Sequence, residues 1–292
     1  MEPMVGCDKI APECDHCYAA VFASRGLHGV HAGVAARGEW TGTITRGSPA
    51  VWRSPLKWPH GARVFTCSMS DFWHERVPLE CLDEALSIIE ATPRLTYQIL
   101  TKRPGNIARK LAALRRRLPG NVWAGATIGH PKSLPLLKPL RRIEASIRFL
   151  SVEPLLGPMI PGLDLAGVGW VIGGGESGQH ARPCEPEWMR AVRDLCLTRG
   201  VPFFLKQWGI WENNPTPPEQ ELDPDAKGGA TLDGRLWREF PSPLIGNRKF
   251  PLESPVDSAI GYHCHPDSYC EDRAMITPAD MAVQDAAKRA SG

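Results

Sequence analysis

The stretch Thr96-Tyr97-Gln98-Ile99-Leu100-Thr101-Lys102-Arg103-Pro104 is a short apolar run, rich in β-formers, that ends in reactive polar residues. After it, Ile107, Leu111, Leu114 and Leu118 recur at helical spacing. A strand with a polar end followed by a helix is half of a βαβ unit, and the same unit returns along the chain. Further runs lie at residues 62–67, 121–126, 147–152, 168–173 and 202–206, with a shorter candidate first strand at residues 2–5. Pro78 suits a first helical position, with Leu79, Leu82, Leu86 and Ile89 on one face behind it. Trp188, Val192, Leu195 and Cys196 repeat the pattern after Pro186.

Such alternation gives parallel strands, in either an open doubly wound sheet or a full or partial barrel. The strand ends choose between them. Ser68, Ser70 and Asp71, then Thr101 and Lys102, then Ser151 and Glu153, then Gly173 to Glu176, then Lys206 and Gln207 close five separate runs. An open sheet binds its ligand at one switch point and needs two or three such ends. A barrel-type site draws on many. The expected fold is α/β: a partial (β/α) barrel of six or seven parallel strands over residues 1–210. Residues 211–292 form an irregular Pro-rich C-terminal appendage packed on it. Nine prolines between positions 211 and 276, and the turn Leu232-Asp233-Gly234-Arg235, set that segment apart. Residues 278–289 suit one short helix. Between residues 18 and 61 lies a long first crossover, read as an Ala-rich helix reaching about Arg37 and then a loop with Trp40, Trp52 and Trp58.

Composition narrows the class. The 292 residues are 42% apolar and 23% charged, and 34 Lys+Arg against 32 Asp+Glu leave a net charge of +2. That balance excludes a polybasic coat and gives no global drive toward nonspecific nucleic-acid binding. No apolar run reaches the roughly 20 residues of a membrane span, and the start Met1-Glu2-Pro3-Met4-Val5-Gly6-Cys7 is unlike a secretory signal. A cytoplasmic protein with no membrane partner is expected. Nine cysteines in that compartment are better read as reduced thiols than as disulfides.

The sharpest chemical signal is Cys7, six residues, then Cys14-Asp15-His16-Cys17-Tyr18, directly after the first strand. Three thiolates on a [4Fe-4S] cluster leave one iron open to chelate a small molecule. Zinc would take the same thiolates with His16 or a more distant histidine as fourth ligand. Inert buried thiols are the third reading. Cys67, Cys81, Cys184 and Cys196 read as packing residues. His263, Cys264, His265 and Cys270 form a second possible metal group. Arg109 and Lys110, Arg115 to Arg117, and Arg141 with Arg142 lie on outer helices as ordinary charged faces or as a nucleic-acid stripe to which the three tryptophans add stacking.

These motifs resemble a phage- and bacterium-encoded three-cysteine-motif family of unassigned function that is grouped with the radical S-adenosylmethionine enzymes. The resemblance runs through Gly6-Cys7, Pro12, Cys14, Cys17-Tyr18-Ala19, then Ser68-Met69-Ser70-Asp71, Ile99 to Pro104 and Ser151 to Pro158. It continues through Gly173 to Gly178, Phe203 to Gly209, and Leu232 to Arg235 with Trp237. It implies a [4Fe-4S] cluster on Cys7, Cys14 and Cys17, S-adenosylmethionine chelated at the open iron, and an electron donor protein. A 5′-deoxyadenosyl radical would then abstract hydrogen from substrate. Ser68, Ser70, Asp71, Lys102, Gly174, Glu176 and Gln207 are the expected cofactor-binding residues, and Lys102, Glu153, Glu176 and Lys206 the expected catalytic ones. The family's phage association and the basic segments suggest a nucleotide or nucleic-acid substrate. The competing expectation is a zinc-stabilised nucleic-acid-binding module without redox chemistry.

Overall fold

The computed structural model describes residues 1–26 and 29–241, which belong to one compact unit. The second possible metal group at residues 263–270 and the short helix expected at 278–289 lie outside the described residues. Six parallel strands form the central sheet: β2 (Arg63–Thr66), β3 (Thr96–Thr101), β4 (Val122–Thr127), β5 (Ile147–Val152), β6 (Trp170–Gly174) and β7 (Phe203–Gln207). Their order in space is their order in sequence. A doubly wound sheet would reverse direction at a switch point; this one does not, and the fold is a partial barrel. The amino-terminal β1 (Met4–Val5) pairs antiparallel with Thr45–Arg46. Met1 to Gly6 also runs beside the end of β2, through Cys67 N–H to Met1 carbonyl (3.0 Å) and Gly6 N–H to Met69 carbonyl (3.0 Å).

The helices are α1 (Tyr18–Ala23), α2 (Leu79–Glu90), α3 (Pro104–Leu114), α4 (Leu137–Arg141) and α5 (Pro186–Arg199). Each of the three longest begins beside a proline, whose fixed φ suits a first turn. They cover one face of the sheet, where Leu82, Leu86, Ile89, Ile107, Met189 and Val192 meet Tyr97, Ile99, Ala124, Leu150, Val171 and Leu205.

The opposite, concave face carries Trp123, Ile147, Phe149 and Trp170, with Leu100, Ile172, Phe204 and Phe240 packed against them. Trp170 is the hub, with ring centroids 5.8 Å from Trp123, 5.7 Å from Phe149 and 5.2 Å from Phe240. Register stacks the rows above this floor. Thr127, Ser151, Ile172 and Phe204 are successive cross-strand partners. Two residues further on come Glu153 and Gly174, on the same face by strand alternation; a bulge in β7 pairs Gly174 with Gln207, and Lys206 reaches Glu153 with Nζ 3.2 Å from Oε1. The apolar floor therefore gives way to polar groups toward the carboxyl ends of the strands.

Of the segment expected at 211–292, residues 211–241 are described, and they pack on the sheet. Residues 237–239 hydrogen-bond along the β7 edge, Leu205 N–H to Trp237 carbonyl at 2.9 Å and Glu239 N–H to Phe203 carbonyl at 3.1 Å. The turn at Asp233-Gly234 joins a small hairpin, Thr231–Leu232 with Arg235–Leu236, and both turn residues have positive φ.

Three expectations need correction. The Ala-rich helix stops at Ala23 rather than near Arg37, because glycines at 26, 29, 33 and 38 follow, and Ala35–Ala36 with Glu39–Trp40 make a hairpin instead. Leu118 lies beyond α3, which ends at a left-handed Arg115. Lys110 is buried rather than outward-facing and donates to the carbonyls of Glu75 (3.3 Å) and Val77 (2.8 Å). No described helix is long and apolar enough to cross a membrane.

Candidate functional site

Cys7, Cys14 and Cys17 are free and half-buried, whereas Cys67, Cys81, Cys184 and Cys196 are buried packing residues, as expected. Gly6 sets the direction of the loop they occupy. Its φ is +112°, and a Cβ there would stand 2.0 Å from the Thr43 carbonyl oxygen, so only glycine fits. From Gly6 the loop crosses the carboxyl ends of the strands and is tied down at three of them.

The first tie is at β3. Arg103 directs Nη1 to Cys7 Sγ (3.7 Å) and Asp71 Oδ2 (3.2 Å), Nε to Glu75 (2.9 Å), and Nη2 to Asp8. Asp71 also accepts from Trp73 N–H (3.0 Å), the Thr101 hydroxyl (2.6 Å) and Lys102 N–H (3.0 Å). Burial, with Asp71 adding to it, pushes the Cys7 thiol up to about 12 against the pull of Arg103. Left alone that sulfur keeps its proton at neutral pH; a bound metal would replace it.

The second tie is at β4. Glu13, buried within the cysteine loop, accepts the N–H groups of Gly129 (2.8 Å) and His130 (3.0 Å) through Oε1, while Oε2 is buried without a partner. The third is at β6. Glu176 accepts from His16 Nδ1 (3.0 Å) and from Arg182 through its backbone N–H (2.9 Å) and Nε (2.8 Å). Arg182 then reaches Asp15 (3.1 Å) and the Pro12 carbonyl (2.9 Å). Burial acts to raise the Glu176 carboxyl, but its bonds to Arg182 and His16 win and hold it below the ordinary carboxylate range.

Of the residues singled out in sequence, six are engaged within the protein, among them Glu153 and Lys206 with each other. Ser68 and Ser70 bond Glu2 and the Met4 carbonyl, Asp71 organises β2 and β3, and Glu176 holds the loop. The glycines serve close packing. A Cβ on Gly173 would meet Met189 Sδ at 2.7 Å, one on Gly174 the Glu153 side chain at 3.0 Å, and one on Gly175 the Trp208 carbonyl at 2.0 Å. Glu153 pairs with Lys206 Nζ at 3.2 Å. Lys102 and Gln207 are half-buried and their side-chain ends have no partner among the described residues. The hydroxyls of Thr127 and Ser151 likewise make no hydrogen bond there. Trp208 is a packing residue, fully buried with Nε1 on the Thr231 carbonyl (2.9 Å).

Within the basic segments Arg116 pairs with Asp83 and Glu90 and Arg141 with Asp164, while Arg109 donates to Asn106 (2.9 Å). Trp52 is fully buried beneath Arg46. Reasoning from spacing missed Glu13, Asp8 and Arg182, whose partners are distant in sequence.

The family model of DUF5131, a protein of unknown function, matches residues 1–241. The chain belongs to that family. The matched span takes in the whole half-barrel, the cysteine loop and every residue tied to it. No curated protein and no solved structure matches the chain.

The donor set suits an iron–sulfur cluster: three reduced thiols on one loop, with no fourth cysteine beside them in sequence. Among the described residues no three His, Cys, Asp or Glu side chains stand close enough to share a single metal ion.

Proposed function

We propose that the protein is a cytoplasmic radical S-adenosylmethionine enzyme whose [4Fe-4S] cluster is held by Cys7, Cys14 and Cys17. The observation that carries this reading is the cysteine loop itself, fastened across the carboxyl ends of β3, β4 and β6. That is the end of a barrel on which active sites are built. The resemblance of its sequence blocks to a three-cysteine-motif family grouped with the radical enzymes also supports it. Such a cluster, when bound, supplies one electron and an open iron site for S-adenosylmethionine.

The chain's own residues position and shield. Arg103, Glu13 and the Glu176–Arg182 pair fix the loop without occupying its sulfurs, apart from the Arg103 contact to Cys7. Lys102 offers an unpaired ammonium for the methionyl carboxylate or a substrate phosphate. Gln207, Thr127 and Ser151 offer uncommitted donors and acceptors facing the mouth or the concave wall. Glu153 and Lys206 present a carboxylate and an ammonium 3.2 Å apart at the same end, able to bind ligand hydroxyls or hold a proton. The aromatic floor of Phe149, Trp170 and Phe204 excludes water beneath them. Hydroxyl partners at the mouth and a cation for phosphate beside them suit a nucleotide. An electron donor protein is required as partner.

Anaerobic reconstitution with iron and sulfide tests the reading. The expected product is brown, carries about four irons per chain, and in the reduced state cleaves S-adenosylmethionine to 5′-deoxyadenosine; Cys14→Ala loses all three properties. Colourless protein with no iron, or tightly held zinc in its place, overturns it.

A further inference from the structure

Cys7 differs from its two companions in having a buried cation against its sulfur. The Arg103 side chain is 4% exposed and every nitrogen is engaged: Nε with Glu75 at 2.9 Å, Nη2 with Asp8, and Nη1 with both Asp71 at 3.2 Å and Cys7 Sγ at 3.7 Å. Nor can the guanidinium swing away. Asp71, which anchors it, is itself held by Trp73 N–H, Thr101 Oγ1 and Lys102 N–H. Arg76 takes the other oxygen of Asp8 at 3.3 Å, and His74 Nε2 lies 3.1 Å from Asp8 Oδ1. The result is a fixed N–H aimed at one sulfur in a site of low dielectric.

A donor held against a thiolate ligand stabilises whichever redox state places more negative charge on that sulfur, which for an iron–sulfur cluster is the reduced state. Burial strengthens the effect because little water screens it. The carboxylates of Asp8, Asp71 and Glu75 act in the opposite sense, but each is already paired with the guanidinium. We propose that Arg103 is a positioning residue that tunes the reduction potential of the cluster through its hydrogen bond to Cys7, making the cluster easier to reduce. The inference rests on the cluster reading above.

The test is a redox titration of the anaerobically reconstituted full chain, followed by electron paramagnetic resonance of the reduced state, in wild type, Arg103→Lys and Arg103→Gln. The midpoint potential is expected to fall in Arg103→Gln and to fall less in Arg103→Lys, which keeps the charge but loses the planar fork. Variants that carry wild-type iron at an unchanged potential overturn the proposal; a purely structural role would lower iron content and leave the potential of the loaded fraction alone. Should Arg103→Gln fail to fold, wild-type protein labelled with ¹⁵N-arginine decides the matter. A ¹⁵N hyperfine coupling to the reduced cluster, lost in Arg103→Lys, supports the contact, and its absence in wild type overturns it. If wild type takes up no iron at all, the cluster reading fails and this inference falls with it.

Discussion

Glu13 sits between Pro12 and Cys14, where a carboxylate is unexpected because nothing in the loop's sequence pairs with it. One oxygen takes two backbone N–H groups from the turn after β4, 116 and 117 residues away. The same turn packs tightly on its other side, where a Cβ on Gly129 would stand 1.9 Å from the Pro154 carbonyl oxygen. Glu13→Ala leaves both amides without their acceptor and is expected to destabilise the fold by about 2–3 kcal/mol. Glu13→Gln keeps a carbonyl oxygen in place and is expected to lose under about 1 kcal/mol. Guanidinium denaturation checks both, and equal losses would remove Oε1 as the reason. Sequence reading found the three thiols and the strand-end residues because they are local in the chain. It could not find what holds them, since His16 and Glu176 are 160 residues apart and Arg182 and Pro12 are 170 apart. Asp71 shows the same limit: its position was legible, but its use as an internal anchor depends on Thr101, Lys102 and Arg103 from the end of β3, some 30 residues on.

At the scale of elements, β3 and β5 have the bounds read from sequence, because a run buried on the helix side and bounded by polar residues has one reading. The first crossover and α4 were less legible. Glycines interrupt the former, and Pro131, Pro135 and Pro139 hide the helical period of the latter. The loop from β6 to α5 matters most for the site, because Glu176 and Arg182 clamp the cysteine loop from it. The Glu176 carboxyl is held below its ordinary value of 4.5. A depressed acid contributes stability that is present above the unfolded value and lost as pH falls through the folded one. The clamp therefore holds at neutral and mildly acidic pH and opens only below about pH 4.5. Glu176→Gln is expected to unfold about 2 kcal/mol more easily than wild type at pH 7, with the difference shrinking as pH falls below about 4.5. Thermal unfolding of both proteins across that range checks it, and a gap independent of pH would show that ionisation is not what holds the loop.

For the whole molecule, a sheet wound in one direction has two free edges and an open concave face, and both must be managed. Residues 237–239 extend hydrogen bonding along the β7 edge. Phe240 closes against the floor, 5.2 Å from both Trp170 and Phe204. Trp237 lies on Phe203 at 6.2 Å, and Leu232 and Trp208 are fully buried. The half-barrel thus depends on a segment whose prolines made it read as an appendage; periodicity reports local elements and is silent about an extended segment that stabilises by edge pairing. Each large apolar side chain removed from this contact, or uncovered by its loss, is worth about 1.5–3 kcal/mol. Four or five of them together match the roughly 5–15 kcal/mol that holds a typical domain folded. A chain ending at residue 241 is therefore expected to unfold in one cooperative denaturant transition, whereas one ending at residue 210 is expected to show none. Tryptophan fluorescence follows both, since Trp170 and Trp208 lose their cover in the shorter chain. A 210-residue chain with the same midpoint as the longer one would mean that the sheet's edge and floor are stable uncovered, and that the site at its other end needs only the barrel strands and the cysteine loop.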